Sequence, residues 1–255
     1  MIINYESLAK MIDHSLLHPT MTDEILKEEC AVAAKYNVAT VCIKPYAIPI
    51  AIEALKSSDV LVGTVIGFPH GNSSTEIKVA EAISAASAGA VEIDMVINIG
   101  KALGSDWNYV EKEIQAVNDA VTGNSAILKV IFENDFLSEV EIIRLCEICS
   151  GIGVAFVKTS SGYGFTKQGN GMYSYKGATA EHLKIMRKYT AGKIQVKAAG
   201  GIRTLKDLVF VKSLGVTRVG ATATAVMMEE AKKRLGEGED LNNLIDSDHH
   251  IGGSY

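Results

Sequence analysis

The stretch Ala155-Phe156-Val157-Lys158-Thr159-Ser160-Ser161-Gly162 is a short apolar, β-type run that ends in a lysine and then turns through small residues. A second lysine has a similar setting in Ile194-Gln195-Val196-Lys197-Ala198-Ala199-Gly200-Gly201. An isolated ammonium group in a low dielectric is costly, so a buried lysine shifts its pKa or finds a partner. Both outcomes suit an amine nucleophile. We therefore predict that Lys158 and Lys197 face each other, with the rest of the chain as their scaffold.

The composition is that of an ordinary globular protein. The chain has 255 residues, of which 47% are hydrophobic and 22% charged, enough for one large α/β barrel or two small domains. The net charge is -5 and no basic run occurs, so we expect neither nucleic acid nor membrane as a partner. The N-terminus does not resemble a signal peptide, and the four cysteines suit a reducing compartment, so we expect a cytoplasmic protein.

Short apolar runs alternate with longer helical patterns along the whole chain, which predicts a parallel sheet covered by helices. Eight such units in this length match a (β/α)8 TIM barrel of the α/β class in a single domain, residues 1–245, with a flexible C-terminal tail, residues 246–255. A doubly wound open sheet is the competing architecture, but no G-x-G-x-x-G follows the first strand. The predicted strands are 10–13, 39–43, 60–68, 91–97, 127–133, 154–159, 193–198 and 217–221.

Several helices have recognisable start signals. The pairs Ser73/Glu76 and Ser138/Glu141 have the spacing of a capping box. Thr179 and Thr204, the latter followed by Asp207, are predicted N-caps.

Charged residues lie in or at the ends of the apolar strands, where a barrel has its active site. Lys158 as a free amine can attack an aldehyde to give a Schiff base, and Lys197 would supply the cation that lowers the pKa of Lys158. Asp94 is predicted to keep Lys197 charged and to relay protons through water. For Asp13 we predict contact with a substrate hydroxyl. Lys129 and Glu133 belong to the same set of strand residues.

Other kinds of site have weaker support. His14 and His18 are four residues apart, but Pro19 follows and no long helix is predicted there, so zinc-helix geometry is not indicated. Cys146 and Cys149 form a C-x-x-C inside a predicted helix, which favours core packing over a redox or metal role. We expect no metal and no cofactor.

Two glycine-bearing turns are candidates for binding phosphate. Gly200-Gly201-Ile202-Arg203 follows the seventh predicted strand, and Gly220-Ala221-Thr222 follows the eighth. Barrels commonly hold phosphate in the loops after these strands, through backbone N–H groups and helix N-termini. We predict substrate binding at Gly200, Gly201 and Thr222, and also at Thr159 and Gly162 beside the lysine strand.

Taken together, the motifs resemble the deoxyribose-phosphate aldolase family, class I aldolases of the (β/α)8 fold. The resemblance implies cleavage of 2-deoxy-D-ribose 5-phosphate to D-glyceraldehyde 3-phosphate and acetaldehyde. It also implies Lys158 as the Schiff-base lysine, Lys197 as the lysine that tunes it, and Asp94 as the proton-relay carboxylate. The matching stretches are Ile12-Asp-His-Ser-Leu-Leu17, Val41-Cys-Ile43, Thr64-Val-Ile-Gly-Phe-Pro-His-Gly-Asn72, Val91-Glu-Ile-Asp-Met-Val-Ile97, Leu128-Lys-Val-Ile131, Phe156-Val-Lys-Thr-Ser160 and Val196-Lys-Ala-Ala-Gly-Gly-Ile-Arg-Thr204.

The chain departs from the family pattern in three places. Residues 161–177 are longer than the family's usual loop and would form either a lid over the site or a surface hairpin. In the loop after the last strand, the family often has two serines that help to bind phosphate, whereas this chain has Thr222-Ala223. Lys167 or Lys176 is expected to compensate for the lost hydroxyl as a phosphate ligand. The chain ends in Ser254-Tyr255. Either this end is a plain flexible tail, or the Tyr255 phenol enters the site and assists proton transfer.

These departures leave the substrate open. A related class I aldolase acting on an unphosphorylated or different sugar phosphate is one alternative, and a non-catalytic sugar-phosphate-binding barrel is another. Small aldehydes and sugar phosphates are the expected partners, and assembly as a homodimer is left open.

Overall fold

Eight parallel strands close into a barrel in the computed structural model, which describes residues 3–246 and 248–251. The strands follow the barrel in the order β1-β2-β3-β4-β5-β6-β9-β10, and β10 pairs with β1 to close it. Most are buried along their length, as strands covered on both faces should be. The barrel strands are β1 (Ile12–Leu16), β2 (Thr40–Ile43), β3 (Leu61–Ile66), β4 (Glu92–Val96), β5 (Ile127–Ile131), β6 (Phe156–Lys158), β9 (Gln195–Ala199) and β10 (Arg218–Ala221).

Helices surround the barrel and alternate with its strands, so the predicted (β/α)8 TIM barrel is confirmed and the open sheet is excluded. The apolar faces of the helices and the outward faces of the strands form one continuous core. The α-helices are α1 (Tyr5–Ala9), α2 (Asp23–Tyr36), α3 (Ile48–Leu55), α4 (Thr75–Ser87), α5 (Ile99–Leu103), α6 (Trp107–Gly123), α7 (Glu139–Ile152), α8 (Ala180–Tyr189), α9 (Leu205–Ser213) and α10 (Thr224–Gly236).

Three of the four predicted helix starts are confirmed. Ser138 and Thr204 form capping boxes with the residues three positions later, and the Thr179 side chain accepts a hydrogen bond from the His182 backbone. The prediction at Ser73 is wrong, because α4 begins one residue later with Ser74 as its N-cap.

Two of the strand boundaries that differ from the predicted ones have a local reason. The first strand runs from Ile12 to Leu16 instead of 10–13, because α1 ends at Ala9 and Lys10 is its C-cap. The fifth strand stops at Ile131, two residues early, because Glu133 adopts a left-handed backbone with φ of 62° that cannot continue a strand.

Residues 161–177, which we name the aromatic loop, form a two-stranded antiparallel ribbon outside the barrel. Its strands are β7 (Thr166–Lys167) and β8 (Tyr173–Ser174). Near the C-terminus, His249 and Ile251 lie within the predicted tail. His249 Nε2 lies 2.7 Å from Asp207 Oδ1 on α9, and Ile251 is buried in the core. The flexibility predicted for residues 246–255 stays a prediction, and Tyr255 lies outside the described residues.

Candidate active site

Lys158 and Lys197 occupy neighbouring strands at the same level of the barrel. Lys158 is the last residue of β6, and its register partner on β9 is Lys197. Both side chains are buried, and both ammonium groups lie 2.7 Å from the same atom, Asp94 Oδ2 on β4. The structure thus brings together the two predicted lysines and the predicted carboxylate.

These residues belong to a larger set of charges inside the barrel, which we name the ionic centre. Arg218 donates to Glu92 Oε2 at 2.7 Å and to Asp13 at 2.5 Å, and Lys129 lies 2.5 Å from Glu92. With usual charges the centre would hold four cations and only three anions. Because net charge in a buried site is costly, one cation is favoured to lose its proton. The members are Asp13, Glu92, Asp94, Lys129, Lys158, Lys197 and Arg218.

The two lysines differ in the number of carboxylates they contact. Burial, together with the nearby Lys197 cation, holds the pKa of Lys158 below its ordinary value, against the single carboxylate Asp94. Burial also lowers the pKa of Lys197, but Asp13 and Asp94 together outweigh burial and hold it above the ordinary value. Lys158 is therefore the cation most able to become a free amine at neutral pH.

Asp13 contacts Lys197 and does not line the cavity that opens at the carboxyl ends of the strands. Its Oδ2 accepts from Lys197 at 2.5 Å and from Lys129 at 2.7 Å, and its Oδ1 accepts from Arg218. Burial opposes its charge, but these cations hold the pKa of Asp13 well below its usual range. The predicted contact with a substrate hydroxyl is not supported, since both oxygens bind cations. Asp13 instead fixes Lys197.

A cavity of about 650 Å³ opens above the ionic centre at the carboxyl ends of the strands. Lys158 and Lys197 form part of its floor, and the predicted binding residues Gly162, Gly200, Gly201 and Thr222 lie on its walls. Thr159 does not line it. The Thr159 hydroxyl donates to Ala199 O at 3.2 Å and accepts from Ala199 N at 3.1 Å, so this buried side chain ties β6 to β9 instead.

One end of the cavity has the character of an anion site. Gly200 and Gly201 have φ of 87° and 83°, a conformation that glycine adopts readily. The N-terminus of α10 adjoins Thr222 and Ala223, and no side chain caps it. Arg203 also lines the cavity and is the cation at this end. Lys167 and Lys176, expected as compensating ligands, do not line the cavity.

The aromatic loop forms a further wall of the cavity. Tyr163, Phe165 and Tyr175 line the cavity, and Tyr175 is almost fully buried. The loop therefore combines the two expected alternatives, because it is a β-hairpin whose aromatic side chains cover part of the site.

Two members of the ionic centre, Glu92 and Arg218, were missed as site residues. Each interrupts an apolar strand, which is the signal that identified Asp13 and Asp94. Lys129 was identified only as a charged strand residue. Burial lowers its pKa, but Asp13, Asp94 and Glu92 outweigh burial and hold the pKa well above the ordinary value.

The weaker candidates have structural explanations. His14 Nδ1 lies 2.8 Å from Thr224 Oγ1 and its Nε2 lies 2.8 Å from Glu29, whereas His18 contacts Thr20. Cys146 and Cys149 are buried in α7, and burial raises the pKa of the Cys146 thiol to about 12. Both cysteines therefore pack in the core, as predicted.

Comparison with known proteins identifies the chain. The profile of the DeoC/LacD family aldolases matches residues 7–222. The chain belongs to this aldolase family. It is 44% identical over 232 residues to the deoxyribose-phosphate aldolase of Rhodopirellula baltica, covering 91% of this chain and 92% of that one. The predicted resemblance and the prediction of an aldolase are confirmed.

Solved structures of aldolases share the fold of this family member. The aldolase QR15 superposes with a TM-score of 0.82 at 31% identity, covering 91% of this chain and 99% of that one. The tetrameric deoxyribose phosphate aldolase of Aeropyrum pernix has a TM-score of 0.79 at 27% identity, with 90% and 92% covered. Within the described residues of this chain, no helix combines the length and apolarity needed to span a membrane.

Proposed function

We propose that this aldolase reversibly cleaves 2-deoxy-D-ribose 5-phosphate to D-glyceraldehyde 3-phosphate and acetaldehyde through a Schiff base on Lys158. The observation that carries the proposal is the unequal pair of lysines on Asp94 Oδ2, one with a lowered and one with a raised pKa, at the floor of the cavity. A free amine beside a fixed cation is what attack on an aldehyde requires.

The reaction can be written on these residues. Lys158 Nζ attacks the C1 carbonyl carbon of the open-chain sugar, and loss of water gives the protonated imine. A base takes the proton of the C3 hydroxyl, the C2–C3 bond breaks, and its electron pair moves into the imine to form an enamine. D-glyceraldehyde 3-phosphate leaves, C2 takes up a proton, and hydrolysis of the imine releases acetaldehyde and free Lys158.

Asp94 and Lys197 are the groups placed to manage these protons. Asp94 Oδ2 holds both lysines, while Oδ1 lies 3.2 Å from Lys129 and accepts no hydrogen bond from the described residues. Three surrounding cations hold the pKa of Asp94 below its usual range despite its burial, so it is a weak base on its own. A relay through water between Asp94 and Lys197 fits this arrangement better than direct proton abstraction by Asp94.

The sugar is oriented by the two ends of the cavity. Its phosphate would lie against Gly200, Gly201 and Arg203 and the N-terminus of α10, where backbone N–H groups and a guanidinium favour an anion. Thr222 supplies a hydroxyl there and Ala223 does not, so an unphosphorylated or different sugar phosphate is the second candidate substrate. The non-catalytic barrel is not retained, because the chain is a member of an aldolase family.

Borohydride trapping tests the mechanism. The protein is incubated with acetaldehyde, reduced, digested and searched by mass spectrometry for the ethyl group. We expect the ethyl group on Lys158, and none in Lys158→Arg. Lys193, an exposed lysine beside β9, provides the matched control as Lys193→Arg, which should still be labelled at Lys158. Scattered surface labelling would contradict the mechanism.

Three finer points also belong to this proposal. Comparing turnover of 2-deoxy-D-ribose with that of its 5-phosphate decides the substrate, and higher activity on the free sugar would favour the second candidate. Copies of the chain are proposed to associate, as a dimer or a larger assembly, and light scattering measures this directly. A cytoplasmic location is supported by the free state of all four cysteines.

A further inference from the structure

The aromatic loop is attached to the barrel by two carboxylates of one neighbouring connection. Glu133, which follows β5, accepts the Ser161 N–H with Oε1 at 3.0 Å and Oε2 at 3.2 Å. Asp135 accepts Lys176 N–H with Oδ1 at 2.8 Å and Gly177 N–H with Oδ2 at 3.0 Å. One acidic residue thus holds the first residue of the loop, and the other holds its last two.

Neither carboxylate has a cation within ion-pair distance among the residues that the structure describes. Burial raises the pKa of Glu133 to about 7 and also raises the pKa of Asp135, against the hydrogen bonds they accept. Lys158 on β6 and Asp135 are the charged groups that face Glu133, and His182 on α8 and Lys176 are among those that face Asp135. Both carboxylates therefore carry an electrostatic cost that their backbone hydrogen bonds to the loop offset in part.

Glycines in and around the loop fit this attachment. A Cβ at Gly164 would lie 2.7 Å from the Glu133 carboxyl group, so the glycine lets the loop pass over that carboxylate without displacing it. At the other end, the Tyr175 hydroxyl fills the space above Gly200, where a Cβ would lie 1.6 Å away, and it would meet a Cβ at Gly177 at 2.8 Å. The loop is thereby seated with the Tyr175 phenol directly against the phosphate-binding end of the cavity.

The aromatic loop also reaches the side of the cavity opening that lies next to β3. The ring of Tyr163 packs edge-on against Phe68, which follows β3, with centroids 5.5 Å apart, and Phe165 packs against Tyr175 with centroids 5.8 Å apart. The aromatic wall therefore spans the cavity from the β3 side to the β9 side. The wall lies over the part of the cavity proposed to hold D-glyceraldehyde 3-phosphate, which is the acceptor aldehyde of the reverse reaction. It does not lie among the charges of the ionic centre at the cavity floor.

We propose that Glu133 and Asp135 act as positioning residues, a carboxylate clamp that holds the aromatic loop as the acceptor-side wall and so sets affinity for the phosphorylated three-carbon aldehyde. The inference rests on the proposed aldol reaction and assigns its acceptor specificity. Formation of the imine with acetaldehyde uses Lys158 and the ionic centre, and neither Glu133 nor Asp135 forms an ion pair with a member of that centre, so it does not require the loop to be held in place.

Two variants, Asp135→Ala and Glu133→Ala, remove the acceptor oxygens at the two ends of the clamp, so that one remains informative if the other does not fold. Glu141→Ala is the matched control, because Glu141 accepts the Ser138 N–H at 2.6 Å in the same part of the chain but does not touch the loop. Assays are run well above pH 7, where Glu133 is ionised. Three quantities are measured: KM and kcat for 2-deoxy-D-ribose 5-phosphate, the rate of acetaldehyde trapping at Lys158, and hydrogen exchange of the Ser161, Lys176 and Gly177 amides.

We expect Asp135→Ala to raise KM about tenfold while kcat and the trapping rate stay within about twofold, and Glu133→Ala to act in the same direction. Exchange should accelerate at Lys176 and Gly177 in the first variant and at Ser161 in the second. The control should change none of these.

Faster amide exchange with an unchanged KM would overturn the clamp, as would unchanged exchange in both variants. A joint fall of kcat, trapping rate and affinity would show a general structural role and would also overturn it. Failure of the unmodified enzyme to trap acetaldehyde at Lys158 would instead contradict the proposed function itself, so the two failures are distinguishable.

Discussion

The ionic centre and the aromatic loop lie on opposite sides of the same cavity and are built in different ways. Every member of the ionic centre belongs to a barrel strand, and each charge is held by oppositely charged partners at 2.5 to 3.2 Å. The aromatic loop lies outside the barrel and is held at its ends by hydrogen bonds that its backbone N–H groups donate to two carboxylates. On the proposed mechanism, this difference means that the strands fix the reacting charges while the loops select which molecules reach them. Changes in the centre should therefore alter the chemical step, and changes in the loops should alter binding.

The largest effect is expected for Lys158→Arg. Arginine keeps the positive charge but cannot be deprotonated in proteins, so no amine nucleophile remains. We expect turnover of 2-deoxy-D-ribose 5-phosphate to fall by at least about 10³-fold in a steady-state assay. Lys193→Arg, on the protein surface, should retain full activity. Substantial activity in Lys158→Arg would break the assignment of chemistry to the ionic centre.

Lys197→Met should lower kcat by on the order of 10²-fold and shift the pH profile. Removal of this cation leaves three cations against three carboxylates, so Lys158 is no longer favoured to lose its proton. The pKa of Lys158, now held below its ordinary value, should rise. Since the free amine is the reactive form, the acidic limb of the kcat/KM profile should move to higher pH. A limb that stays in place would show that Lys197 does not tune Lys158.

Asp13→Asn tests the centre through stability. Asp13 is fully buried and contacts three cations, and removing one partner of a buried ion pair typically costs about 3–5 kcal/mol. The free energy of unfolding, measured by urea denaturation, should fall by that order. Glu229→Gln is the control, because its pair with Lys35 is exposed on both sides and its loss should lower the free energy of unfolding far less. Equal losses in the two variants would remove the distinction between a buried centre and a solvated pair.

Arg203→Gln should act on binding alone. Loss of a charge-assisted hydrogen bond to phosphate is expected to raise KM for the 5-phosphate by about tenfold, with little change in kcat. Because free 2-deoxy-D-ribose has no phosphate, its kcat/KM should stay the same. A comparable loss on the free sugar would place Arg203 in the chemistry and weaken the contrast between strands and loops.

Ala223→Ser should have the smallest effect and the opposite sign. Ala223 lines the cavity at its proposed phosphate end and carries no hydroxyl. A serine there adds one donor to the anion site, so KM for the 5-phosphate should fall by about two- to threefold. A kinetic comparison on the 5-phosphate and the free sugar measures it, and improvement on both substrates alike would argue against phosphate contact.

Local patterns of sequence were enough to predict the barrel and the three central residues. Continuous Val, Ile and Leu runs alternate with capped helical segments. Such continuous apolar runs are typical of strands that are buried on both faces. A charged residue within or at the end of such a run is costly, which is why the sequence alone singles out Lys158, Lys197 and Asp94. Glu92 and Arg218 carry the same signal in their own strands, so they too could have been predicted as members of the site.

Only the tertiary structure decided which of these charges meet and which groups face substrate. Asp13 and Thr159 have the residue types of substrate ligands, yet the closure of β1 against β10 and the pairing of β6 with β9 commit their polar atoms to Lys197, Arg218 and Ala199. The hold of Glu133 and Asp135 on the aromatic loop joins residues about 30 to 40 positions apart. Sequence determines the cost of each buried charge locally, but its partners lie on other strands, and only the closed barrel brings them within hydrogen-bond distance.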